Sequence, residues 1–108
     1  MSDTLLVFTN TPDPTTAEAI ARHLVAHRLA ACVNILAPCR SVYRWQGQVE
    51  QAEEIPLLAK TTADRYPALE AAIRALHPYE LPEVVAVPLT QGLSAYLAWV
   101  AAETRCLD

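Results

Sequence analysis

The chain has 108 residues, a formal net charge of −4 and a hydrophobic share of 53%. The acidic balance excludes general nucleic-acid binding, which needs a basic face, and no apolar run approaches the ~20 residues of a membrane span. The length suits a single domain over residues 1–108, and so apolar a chain of this size points to a buried subunit contact.

The opening MSDTLLVFTN lacks the basic region and long apolar core of a secretory signal, so the cytoplasm is the expected location. Within it, Thr4–Thr9 reads as a short buried strand. A turn-rich stretch follows, in which Asp13 suits a helix N-cap and Pro14 the first helical position. The first helix is expected to run to about Leu29, with Ala17, Ile20, Ala21, Leu24 and Val25 as its apolar stripe. Ala30–Gln46 reads as a strand interrupted at Pro38, and Gln48–Thr61 as a second one, joined through RWQGQ into a long hairpin. A second helix spans Asp64–Leu76, with Leu69, Ile73 and Leu76 inward, and Pro78 ends it. Val84–Leu89 is another buried strand, and Leu93–Arg105 a final helix.

The resulting order is β-α-β-β-α-β plus a C-terminal helix. This is an α+β, ferredoxin-like arrangement with an antiparallel sheet and a long central hairpin. A strand of about 17 residues at ~3.3 Å each would reach roughly 55 Å. A domain of this size has a radius of gyration near ~13 Å. The hairpin must therefore project or bend hard at Pro38. A projecting hairpin carrying Val42, Tyr43, Trp45 and Val49 has open edges and apolar surface to cover, which predicts a homo-oligomer.

The stretches 31-ACVNI-35, 42-VYRWQGQVE-50, 58-LAKT-61, 77-HPYELPE-83 and 96-YLAW-99 occur in this order. Together they resemble the CutA family, the divalent-cation tolerance proteins, from about Leu5 to Trp99. The resemblance implies a ferredoxin-like subunit in a tight homotrimer, similar in architecture to the PII-type signalling proteins. It also implies a link to tolerance of copper and other divalent metals. It points to metal binding by the histidine before Pro-Tyr, here His77, with a cysteine near the end of the first strand. Thr9 stands at that cysteine position and Leu76 where some members carry a second histidine. The soft thiolate that would favour Cu(I) is thus missing there.

Several residues carry chemistry by type. His77 follows a helix and precedes a proline; an imidazole there can ligate a metal, titrate, or cap the helix carbonyls. The three cysteines, Cys32, Cys39 and Cys106, lack CxxC spacing and fit reduced thiols. Cys32 and Cys39 are seven apart, on opposite sheet faces if the strand is regular and otherwise if Pro38 makes a bulge. Cys32 reads as a small buried hydrophobe, and Cys39 as an exposed thiol able to take a soft metal such as Cu or Zn adventitiously. His23 and His27 have the spacing of helical zinc ligands, but no glutamate follows His23, and a solvated helix shoulder explains them.

Tyr43, Trp45, Lys60, Tyr79 and Glu83 are candidates for a ligand cleft between subunits. Lys60, the only lysine, could pair with Glu83 or hold an anion. Trp99 reads as core or interface. No GxSxG, GxGxxG, Walker or CxxC motif is present, so an enzyme is not expected and no cofactor is required. Two readings follow: a trimeric protein of metal response with weak divalent-metal binding, or a PII-like regulatory module holding a small anionic ligand or a protein partner.

Overall fold

A computed structural model describes residues 3–107. Strand β1 is Thr4–Thr11, helix α1 Pro14–Ala26, β2 Cys32–Ile35, β3 Cys39–Trp45, β4 Gln48–Thr62, α2 Tyr66–Leu76, β5 Val84–Pro88 and α3 Ser94–Glu103. The strands make one five-stranded antiparallel sheet in the order β2-β4-β1-β5, with β3 continuing on the β4 edge. This is the expected ferredoxin-like order, with the second strand divided in two.

The division has a clear cause. Residues 36–38, which include Pro38, leave the ladder. Ile35 lies opposite Leu57 and Cys39 opposite Glu54, so four steps along this segment match three along β4. One extra residue resets the side-chain alternation, as a bulge does. Cys32, opposite Lys60, and Cys39, opposite Glu54, therefore both meet even-numbered positions of β4. The regular-strand expectation of opposite faces is corrected by this break. Six residues of β4 still separate the two thiols, roughly 20 Å.

The β3–β4 turn is Gln46–Gly47, with φ of 49° and 80°. Both central residues are left-handed, as a tight primed hairpin turn requires. A Cβ on Gly47 would meet nothing, so the backbone angle and not space selects glycine here. The hairpin stands away from the helices, with Val42 and Val49 exposed. The molecule measures 44 × 28 × 23 Å.

Helix α1 starts as expected. Asp13 is extended, and its carboxylate accepts the Thr16 N–H at 2.8 Å, with Pro14 next. The capped N–H bonds hold the Asp13 carboxyl below the usual carboxylate range. The helix stops at Ala26 and not at Leu29, because Arg28 turns left-handed with φ 59°. Leu29 and Ala30 then donate back to the Leu24 carbonyl. A non-glycine residue in that region costs about 1–2 kcal/mol. Arg28 offsets this by donating to the Ala102 and Arg105 carbonyls at the end of α3, at 2.7 and 3.1 Å.

One sheet face packs on α1 and α2. Val7, Ile55, Leu57 and Ala59 from the strands meet Ala17, Ile20, Leu24, Leu69 and Ile73 from the helices. Threonines on this face satisfy their hydroxyls internally: Thr11 donates to the Ile55 carbonyl and Thr61 to the Leu29 carbonyl. The Thr9 hydroxyl is buried without a partner. The other face is only partly covered by α3. It leaves Val85 and Val87 of β5, and Tyr96 and Trp99 of α3, about half exposed.

Candidate functional site: a cleft beside the central hairpin

The segment 77–83 begins where Pro78 forbids another helical turn. His77 is therefore extended, with φ −82° and ψ 134°, while its own N–H still caps the Ile73 carbonyl. Its side chain is buried, 6% exposed. Nε2 lies 2.6 Å from the Asn10 carbonyl, and Nδ1 lies 3.1 Å from the Tyr79 N–H. A carbonyl can only accept and an N–H can only donate. The ring is thus the neutral form protonated on Nε2, and both nitrogens are engaged.

Asn10 needs this bond. Even-numbered residues of β1 turn their backbone carbonyls toward β5, as the Leu89 N–H to Thr4 carbonyl bond shows, and the pairing of β1 with β5 ends at Thr9, which leaves the Asn10 carbonyl without a strand partner. His77 thereby pins the 77–83 segment to the end of β1. The expected metal role for His77 finds no free ring nitrogen in this arrangement. Among the described residues, no group of three His, Cys, Asp or Glu side chains is placed to hold a metal ion.

Tyr79 is held next. Its ring sits 4.6 Å from that of His77, and its hydroxyl donates to Glu54 Oε2 at 3.2 Å. Glu54 ends the paired part of the hairpin and is only 8% exposed. Burial raises the Tyr79 phenol above its usual range. The Glu54 charge and hydrogen bond raise it further, with smaller contributions from Tyr43 and Asp13. Glu83 accepts from Asn10 Nδ2 at 3.3 Å.

These contacts frame a cleft of about 440 Å³ between the hairpin and the 77–83 segment. Tyr43 and Trp45 of β3 and Tyr79 give it aromatic walls, with Leu81 beside them. Glu54, Glu80 and Glu83 give it three carboxylates, against the single guanidinium of Arg44. Arg44 is turned toward the hairpin tip, 3.5 Å from the Gly47 carbonyl.

The cleft unites Tyr43, Trp45, Tyr79 and Glu83, four of the five expected cleft residues. These four line it from one chain, in which Tyr79 reaches its own hairpin. Within the chain Lys60 lies apart from it, because the register puts Lys60 opposite Leu6, four strand residues from Asn10 and roughly 13 Å away. The expected Lys60–Glu83 pair does not form. Lys60 instead bonds Asn34 and approaches Cys32 Sγ at 3.8 Å. The Tyr96 phenol is raised, chiefly by burial, with neighbouring Cys32 adding to it.

Cys32 is thus half-buried and hydrogen-bonded, not a plain core residue. Cys39 is half-buried beside Ser41 and does not line the cleft. His23 is half-buried and His27 exposed, and their rings lie 4.2 Å apart, tilted on each other.

Sequence reasoning missed Asn10, Arg44 and Glu54. Glu54 sits in 50-EQAEE-54, which reads as a solvated run. Only its position directly before the apolar 55-IPLLA-59 hints that it is drawn inward.

The sequence profile of the CutA1 divalent ion tolerance proteins matches residues 5–103. This chain belongs to the CutA family. It is 46% identical over 99 residues to the divalent-cation tolerance protein CutA of Thermus thermophilus, covering 92% of this chain and 96% of that one. The mouse CutA protein is 43% identical over 94% of this chain, which spans only 57% of the mouse protein's length. Among solved structures, CutA from Xylella fastidiosa superposes with a TM-score of 0.93 at 48% identity, covering 96% of this chain and all of that one. A 31% identical CutA from Archaeoglobus fulgidus, TM-score 0.91, covers 94% of this chain and 99% of that one and is described as a periplasmic divalent cation tolerance protein. Among the described residues, no helix is long and apolar enough to cross a membrane.

Proposed function

We propose that this CutA-family chain serves tolerance of divalent metal ions as a binding module and not as a catalyst. Its working form is a cytoplasmic homotrimer of PII-like architecture, and its ligand site is the cleft beside the β3–β4 hairpin. The observation that carries the cation role is the match to the divalent ion tolerance family over nearly the whole chain. The trimer is supported by the exposed Val42 and Val49 of the hairpin, and by the apolar patch of Val85, Val87 and Trp99.

The cleft's carboxylates support a preference for cations over the anionic ligand that Lys60 suggested. Direct binding of Cu(II) or Zn(II) is weak in this reading. Among the described residues no three donors converge on one point, since Glu80 and Glu83 are exposed while Glu54 is buried, and His77 has both nitrogens engaged. Calorimetric titration of Cu(II) and Zn(II) into wild type and His77→Ala tests this. Weak binding, equal in the two proteins, is expected. Tight binding that His77→Ala abolishes would return His77 to the metal and remove this reading.

A further inference from the structure

We propose that the cleft recognises an organic cation, a small amine with an apolar body, and neither an anion nor a bare metal ion. This inference rests on reading the cleft as the ligand site. Three observations carry it, and the first is Glu54. The residue is more than nine-tenths buried, and its carboxylate accepts a hydrogen bond from a neutral phenol. No ammonium or guanidinium of the described residues pairs with it. Its register neighbour across β3 is Cys39, and the nearest cleft cation, Arg44, is turned toward Gly47. A buried charge without a counter-charge is costly, and proteins normally supply a partner. Here the open side of that carboxylate is the cleft.

The second observation is the walls. Tyr43, Trp45 and Tyr79 line the same space. Aromatic faces carry negative potential and attract a desolvated cation more than a neutral or anionic group. The Tyr79 phenol, raised first by its burial and then by the Glu54 charge, stands beside that carboxylate at the same wall. The third is size. About 440 Å³ lies within the range of small-molecule sites, roughly 300–1,000 Å³, and exceeds what a single ion needs. A dehydrated metal would demand several oxygen or nitrogen donors converging on one point, and among the described residues no such group exists. An ammonium needs one carboxylate and tolerates an aromatic surround.

The test uses three probes with one apolar body and different charge: 2-phenylethylammonium, 2-phenylethanol and 3-phenylpropanoate. Each is titrated into the assembled wild-type protein and into Glu54→Gln, with binding followed by calorimetry and by the two indole N–H resonances. The cation should bind at least tenfold tighter than the alcohol, and the propanoate weakest. The Trp45 resonance should move while that of Trp99, on α3, stays put. Glu54→Gln should erase the charge preference while leaving the alcohol's affinity unchanged. Trp45→Leu, which leaves Glu54 in place, should weaken the cation in a protein whose fold is checked by its thermal melt. Alcohol and ammonium binding equally at Trp45 would overturn the cation inference and keep the cleft as a site. Tighter binding of the propanoate would do the same. If none of the three binds, as when a neighbouring copy's side chain fills the cleft, both this inference and the ligand-site reading fall.

Discussion

Replacing His77 with alanine separates a structural histidine from a metal-binding one, and the size of the effect follows from its contacts. The ring donates from Nε2 to the Asn10 carbonyl at 2.6 Å and accepts the Tyr79 N–H at 3.1 Å. Each such bond contributes about 0.5–1.5 kcal/mol, and a buried group left unpaired costs about 1–3 kcal/mol. Contact with the Tyr79 ring at 4.6 Å adds roughly 0.5–1.5 kcal/mol. The expected loss is therefore about 2–4 kcal/mol, a large part of a typical stability of 5–15 kcal/mol. Urea unfolding at fixed protein concentration measures it, since an oligomer's midpoint moves with concentration. His77→Gln should recover part of the loss by returning a donor to Asn10. A His77→Ala protein within about 0.5 kcal/mol of wild type, the scatter of ordinary surface changes, would refute the pinning role.

Three further outcomes are expected. Spectrophotometric titration should place the Tyr79 phenol above the usual range, and Glu54→Gln should lower it by removing the neighbouring charge. Because the folded value is raised, its stabilisation is full below the unfolded phenol value near ~10 and declines as pH rises through the folded value. Asp13 carries the opposite sign. Its folded value is depressed by the Thr16 N–H, so its contribution is present above the unfolded carboxylate value and is lost as pH falls through the folded one. Asp13→Ala should lower the thermal midpoint at neutral pH and flatten this acid dependence. Light scattering should give three subunits, and Val87→Glu, on the uncovered face of β5, should shift the mass toward the monomer. A wild-type monomer at micromolar concentration would remove the trimer.

The two ends of α1 differ in how far along the chain their causes lie. The start of α1 was legible because Asp13 and Pro14 act within one turn, through bonds no more than three residues long. Its end was not, because Arg28 turns left-handed with help from carbonyls of α3, 74 and 77 residues away. The hairpin tip was readable from Gly47, while the bulge at residues 36–38 emerges only from the register with β4.

The site divides the same way. Tyr43, Trp45, Tyr79 and Glu83 stood out by residue type, and the structure brings them to one cleft. Glu54 looked like one more solvated glutamate until the sheet carried it under Tyr79. Lys60 looked like Glu83's partner until the register set it opposite Leu6.

By itself, the order of apolar runs, caps and prolines determined the element types and the ferredoxin-like layout, and the ordered motifs carried the resemblance to the CutA family. Those depend on local backbone preference and on which faces must be buried, and both are written in short stretches of chain. Only the tertiary structure decided which charges meet. Pairing across strands depends on register, and one extra residue beside Pro38 changes every neighbour beyond it.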